Sequence, residues 1–141
     1  MRPLTHRIYL LGQTLSSSAE KALRAEFDLG FSDYLALHGV ASRQLSSQAE
    51  LARFVGVTDA GISRIVSRLA ARELLAASDD PSNRRRTKLA LTAKGAKLVQ
   101  KAGALLEGGF GRKAKRAGSR EDLATFERVL DTVLAIMEQQ Q

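Results

Sequence analysis

The sequence predicts a mainly α fold with one small β-hairpin, an α+β arrangement with helices on either side of the hairpin. Three observations predict it. Apolar residues recur at helical spacing near both ends: Leu4, Ile8, Leu11 and Leu15, then Leu123, Phe126, Leu130, Val133, Leu134 and Met137. One segment, Thr87-Lys88-Leu89-Ala90-Leu91-Thr92, instead alternates with period two, as a half-exposed strand does. Between these, hydroxyl residues followed three places on by an acidic residue mark helix starts at Ser47 and Ser119.

Taken in order, the first stripe, continued by Ala19, Ala22 and Leu23, predicts a helix over about 4–27, ended by Gly30. Ser32 is the expected N-cap of a second helix through Tyr34, Leu35 and Leu37. In Ser47-Gln48-Ala49-Glu50 the hydroxyl can accept from the Glu amide while the carboxylate reaches back to the cap amide. This short helix runs to Val55, where Gly56 supplies the left-handed residue that stops it. Thr58 then caps a helix to about Glu73, whose buried stripe is Ile62, Ile65, Val66 and Leu69.

Residues 74–78 read as a short apolar strand, and Asp79-Asp80-Pro81-Ser82-Asn83 as a turn. With the alternating segment they predict a hairpin whose long tip carries Arg84, Arg85 and Arg86. Thr92 caps a helix over about 93–107, which Gly108, Gly109 and Gly111 interrupt, leaving Arg112-Lys113-Ala114-Lys115-Arg116 as a basic loop. Ser119 restarts a helix that carries the last stripe.

Composition narrows the function. A chain of 141 residues is one ordinary domain. Its 44% hydrophobic and 26% charged residues are those of a globular protein. Twenty-two Lys and Arg against 15 Asp and Glu leave +7, which points to a polyanionic partner. The absence of cysteine excludes a disulfide scaffold, a thiolate metal site and a cysteine nucleophile. The longest uncharged stretch, 8–19, holds Gln13, Thr14 and three serines and is too polar to span a membrane. The apolar run 8–11 is too short for a secretory signal, so no membrane and a cytoplasmic location are expected. His6 and His38, 32 positions apart, indicate no metal site. Gly108-Gly109-Phe110-Gly111 lacks the strand and the Lys-Ser/Thr of a phosphate loop. No nucleophile–base pair or paired carboxylates point to an enzyme, and no cofactor is expected.

Two helices joined at Gly56, followed by a hairpin with basic residues, make a winged helix-turn-helix over 32–92. Ala52 is small where the helices cross. The outward positions of the second helix, Thr58, Asp59, Ala60, Gly61, Ser63, Arg64, Ser67 and Arg68, include no bulky apolar residue, so the helix can enter a major groove. Arginine at the wing suits the negative potential of a narrow minor groove. The helical ends, 1–30 and 93–141, need more partner surface than one such lobe offers and are read as a dimerisation region. Polar-tipped rings at His6, Tyr9, Tyr34 and His38 are candidates for lining a ligand crevice.

The ordered set Gln48-Ala49-Glu50-Leu51-Ala52, Gly56-Val57, Ile62-Ser63-Arg64-Ile65-Val66-Ser67-Arg68-Leu69, Asp80-Pro81-Ser82-Asn83-Arg84-Arg85 and Leu91-Thr92-Ala93-Lys94-Gly95 resembles the MarR family of bacterial and archaeal winged-helix regulators. The resemblance is closest over about 45–97. It implies a homodimer on a pseudopalindromic double-stranded DNA operator, with one recognition helix per half-site and each wing in a flanking minor groove. It also implies release by a small, often aromatic or phenolic, effector in many members, and a cytoplasmic, nucleoid-associated place. By position, the recognition helix begins at Thr58, with Asp59, Ala60, Gly61, Ser63 and Arg64 toward the groove and Arg68 a turn further on. Ser47 and Gln48 stand at the preceding helix N-terminus, and Arg84, Arg85 and Arg86 on the wing. Glu73 stands where the family frequently has Gly. The alternative left open is a non-specific or architectural DNA-binding protein, favoured by the sparse side chains of Ala60 and Gly61.

Overall fold

The elements follow the chain as α1 (Leu4–Phe27), α2 (Phe31–Arg43), α3 (Gln48–Val55), α4 (Asp59–Ala71), β1 (Leu75–Asp80), β2 (Asn83–Leu91), α5 (Ala93–Ala117) and α6 (Arg120–Glu138). This is a computed structural model describing residues 1–140, without the side chains of residues 83–86. The fold class is the expected one, mainly helical with a two-stranded antiparallel hairpin. The chain divides into two compact units, Met1–Ala104 and Leu105–Gln141.

The core of the first unit is built from one face of each helix. Leu23, Leu29, Leu37, Leu51, Ile62, Leu69 and Leu74 are fully buried, joined by Ala36, Ile65, Val66 and Leu89. Burial of this kind contributes about 1.5–3 kcal/mol per large side chain. The hairpin is a marginal element alone. It is held by Leu75 and Leu89, both buried, and by the Leu89 N–H, which donates to the Ser46 carbonyl at 2.8 Å. The wing is thus tied directly to the residue preceding the capping box of α3.

Several boundaries differ from the sequence expectation. Helix α1 ends at Asp28, which takes the left-handed conformation (φ 48°) and returns its N–H to the Arg24 carbonyl, so Gly30 is not the stop. Aspartate visits this region more readily than most residues. Gly30 instead precedes α2 in extended conformation, and Ser32 lies inside the first turn of that helix and does not cap it. The acceptor comes from elsewhere: the Glu20 carboxylate on α1 takes the Phe31 N–H at 2.6 Å. Helix α4 stops at Ala71. Glu73 is left-handed (φ 59°) and the Leu74 N–H closes back on the Leu69 carbonyl at 2.9 Å, the geometry that a Gly usually supplies at a helix C-terminus.

The hairpin tip is also shorter than expected. Asp80 accepts from both the backbone N–H and the hydroxyl of Ser82, closing the turn over Pro81 and Ser82. Both strands therefore extend further, with a register shift between Asp79 and Asp80, and Arg84, Arg85 and Arg86 belong to strand β2 rather than to a long loop. Finally, α5 runs unbroken to Ala117. Gly108, Gly109 and Gly111 do not interrupt it, and Arg112, Lys113, Lys115 and Arg116 are helical. Each interior glycine costs about 1 kcal/mol against alanine, too little to break a helix of 25 residues.

In the second unit, Ser119 and Asp122 close a capping box at the start of α6, each side chain meeting the other's backbone N–H at 3.1 and 2.8 Å. The Ser119 hydroxyl and N–H hold the Asp122 carboxyl below its ordinary pKa. No residue of α6 is buried.

Candidate nucleic-acid interface

The helix-turn-helix is assembled by local chemistry. Ser47 Oγ accepts from the Glu50 N–H at 3.2 Å, and the Glu50 carboxylate accepts from the Ser47 N–H at 3.3 Å. The Ser47 hydroxyl, and after it the Ser47 N–H, hold the Glu50 carboxyl below its ordinary pKa. Gly56 is left-handed (φ 78°), and the N–H groups of Gly56 and Val57 both reach the Ala52 carbonyl, at 2.9 and 3.0 Å. Ala52 is buried at the crossing, as its size requires. Ser47→Ala is expected to lower stability by about 1 kcal/mol, read from the midpoint of a denaturant titration.

Helix α4 starts at Thr58, whose Oγ1 accepts from the Gly61 N–H at 3.1 Å. The cap is thus supplied by Thr58, and the neighbouring Asp59 carboxylate stands exposed in the first turn, where it complements the helix dipole. Ile62, Ile65, Val66 and Leu69 are all buried. This leaves Thr58, Asp59, Ala60, Ser63, Arg64, Ser67 and Arg68 exposed on the opposite face. Gly61 is half-buried beneath the cap: a Cβ there would meet Thr58 Oγ1 at 3.2 Å and Val57 Cβ at 3.4 Å. Ser63 donates to Gln48 Oε1 at 3.1 Å, linking the exposed face of α4 to the first turn of α3. Thr58, Asp59, Ala60, Ser63, Arg64, Ser47 and Gln48 are therefore brought onto one stretch of the helix-turn-helix. The side chains of Arg84, Arg85 and Arg86 lie outside the described residues.

Arg68 is placed differently from Arg64. Its Nε and Nη2 form a two-point ion pair with Asp33 on α2, at 3.1 and 2.5 Å. The hydrogen bonds to Asp33 push its pKa further up. One turn on, Arg72 donates from Nη1 to the Asp28 carbonyl at 2.7 Å and from Nη2 to the Phe27 carbonyl at 3.0 Å. The corner between α1 and α2 is further closed by Glu20, which accepts from Arg24 Nε at 2.8 Å as well as from Phe31. These two contacts, the Phe31 N–H foremost, hold its carboxyl below the ordinary range. Apart from the Arg24–Glu20 pair, four positions apart, this network was not visible in the sequence, because its partners lie 11 to 45 positions apart.

The four candidate ring residues separate into two groups. Tyr34 and His38 stack on α2 with centroids 5.7 Å apart, between Phe31 and Phe54. Tyr34 is buried and His38 half-buried. His6 and Tyr9 are exposed on α1. Among the described residues no cluster of His, Cys, Asp or Glu could hold a metal ion, and no helix is long and apolar enough to cross a membrane.

A capped helix of exposed small polar residues, crossed by a second helix at a left-handed glycine and followed by a hairpin pinned to it, defines a winged helix-turn-helix protein. Residues 27–86 match the model of the MarR family. The HTH-type transcriptional repressor NicR of Pseudomonas putida is 50% identical over 54 residues, a match spanning 38% of this chain and 34% of the relative. The chain thus covers about a third of that curated protein. The fold is that of wild-type MarR from E. coli in its apo form (19% identity, TM-score 0.82, covering 95% of this chain and 98% of that one). It is likewise that of a mutant E. coli MarR complexed with operator DNA (20% identity, TM-score 0.78, 94% of each chain). BldR from Sulfolobus solfataricus is similar too, at 20% identity and TM-score 0.77 over 96% of this chain and 99% of that one. Residues 27–86 are thus similar to the MarR family, and the chain has the winged-helix fold of these proteins.

Proposed function

We propose that this protein is a sequence-specific DNA-binding transcriptional repressor that acts as a homodimer on a pseudopalindromic operator. The observation that carries this reading is the exposed face of α4: Thr58, Asp59, Ala60, Ser63 and Arg64 stand clear of the core, capped and braced, at the end of the helix that enters a groove. Arg84, Arg85 and Arg86 on β2 are assigned to the adjacent minor groove. Ser47 and Gln48, at the N-terminus of α3, are assigned to backbone phosphate. The repressor named among the relatives, and the operator complex among the proteins of the same fold, support the same class of partner.

The homodimer is supported by apolar surface. Leu4, Ile8, Leu11 and Leu15 on α1 are 37–64% exposed, and Phe126, Val129, Leu130, Val133, Leu134, Ile136 and Met137 on α6 are 41–59% exposed. Stripes this long on a soluble chain mark an interface. Leu130→Glu with Val133→Glu is expected to convert a dimer to a species of one-chain mass in sedimentation at micromolar concentration; a mass that stays doubled would remove α6 from the interface.

The effector is assigned to the ring stack of Tyr34 and His38, the pair of candidates that meet. An aromatic effector releases DNA only to the extent that it binds the released state more tightly. The test of the whole reading is enrichment of duplexes from a random pool, followed by competition between the selected duplex and random DNA. Strong preference for the selected duplex supports it. Equal binding, with a steep salt dependence, would instead make the protein an architectural DNA binder.

A further inference from the structure

Asp33 is the one buried charged residue among those described, at 3% exposure. A carboxylate taken out of water is costly unless it is paired and hydrogen-bonded. Its pairing side chain comes from the recognition helix: Arg68, whose planar fork meets both carboxylate oxygens. Arg72, four residues on, grips the carbonyls of Phe27 and Asp28. The basic edge of α4 is thus spent on the corner where α1 turns into α2. The same corner is tied from its other side by Glu20, through Arg24 and the Phe31 N–H. Arg68 also lies about 15 Å along the helix axis from Thr58, at 1.5 Å per residue, away from the end that meets base edges.

We propose that Arg68 is not a DNA contact but a positioning residue: the Asp33–Arg68 pair, seconded by Arg72, pins the angle at which α4 is presented to the groove and couples that angle to the α1–α2 corner. The inference rests on the operator-binding reading above. A pin of this kind makes one orientation of α4 the working one. Any movement of α1 against α2 is then felt at the recognition helix through two arginines rather than through soft apolar packing.

Two variants separate a pin from a phosphate contact. Asp33→Asn leaves the Arg68 charge in place and frees it. Arg68→Lys keeps the charge but loses the fork. As a pin, both variants lower affinity for the duplex selected by the wild-type protein by about tenfold, the size of effect expected when a neighbouring, coupled pair is broken. Affinity for random duplex and the slope of log K against log salt stay at wild-type values, because no phosphate contact is lost. As a phosphate contact, Arg68→Lys and Asp33→Asn would bind the selected duplex like the wild type, and Arg68→Gln would weaken both duplexes and flatten the salt slope by about one per chain. Either result overturns the proposal. A DNA-free measurement runs beside it: amide exchange in Asp33→Asn is expected to speed up at residues 28–31 and in the last turn of α4. Unchanged protection there overturns the pin on its own. If the wild-type protein selects no duplex, the operator reading has failed, and the exchange arm alone decides whether the pin exists.

Discussion

Neutralising Arg64, Arg84 and Arg85 together is expected to cost at least about a hundredfold in affinity for the selected duplex at moderate salt, with a salt slope shallower by several units. The physical basis is counterion release, since each cation placed on phosphate frees a condensed ion from the duplex. Arg64 is exposed on α4 and, unlike Arg68, carries no ion pair with an acidic residue among the described residues, so its guanidinium is available. Arg84 and Arg85 sit on a strand whose base is anchored to Ser46, so the wing moves with the helix-turn-helix. In a two-fold dimer the loss is counted twice. Fluorescence anisotropy at four or five salt concentrations reads both affinity and slope. Affinity unchanged at every salt would separate these arginines from DNA altogether.

The second large effect is on stability. Gly95→Ala is expected to destabilise the fold by about 3 kcal/mol, the upper part of what overpacking a rigid site costs. A Cβ at Gly95 would lie 2.1 Å from the Leu74 carbonyl oxygen and 3.0 Å from its carbon, both backbone atoms that cannot rotate aside. The contact is tight because α5 is tied to the α4–β1 corner. Thr92 Oγ1 donates to the Glu73 carbonyl at 2.6 Å and accepts the Gly95 N–H at 2.9 Å, and Lys94 Nζ donates to the Arg72 carbonyl at 3.0 Å. Gly109→Ala serves as the control. Nothing lies within 4 Å of a Cβ there, so the same exchange in the same helix should stabilise by about 0.5–1 kcal/mol. Chemical denaturation of both variants measures the contrast. Equal effects at the two positions would mean that the close approach of α5 to Leu74 is not made.

Ser47 with Glu50 and Ser119 with Asp122 are legible because a capping box is complete within four residues, and Gly56 because a left-handed turn has few alternatives. The apolar stripe of α4 is legible because its period alone decides the buried face. Gly95 was visible as part of a motif, but its cause was not, since Leu74 approaches it only after the chain has turned through the hairpin. The same holds for Glu20, which takes over from α1 the capping of α2 that Ser32 was expected to provide. Arg68 and Arg64 look alike in sequence and differ in the structure because Asp33, 35 positions from Arg68, reaches one of them. The opposite error occurred at Gly108, Gly109 and Gly111, where local propensity pointed to a break and the length of α5 overrode it.

In the proposed mode of binding, the α3–α4 pair and the hairpin form one reading head, used twice on a symmetric site. Hydroxyl-radical and methylation footprinting of the selected duplex, with the mass of the complex measured in the same buffer, tests it most directly. The expected result is two chains per duplex, two major-groove windows about 34 Å apart, one helical turn, and minor-groove protection on their outer flanks that disappears when Arg84 and Arg85 are neutralised. One chain per duplex with a single window, or protection that spreads evenly along any DNA, would contradict it.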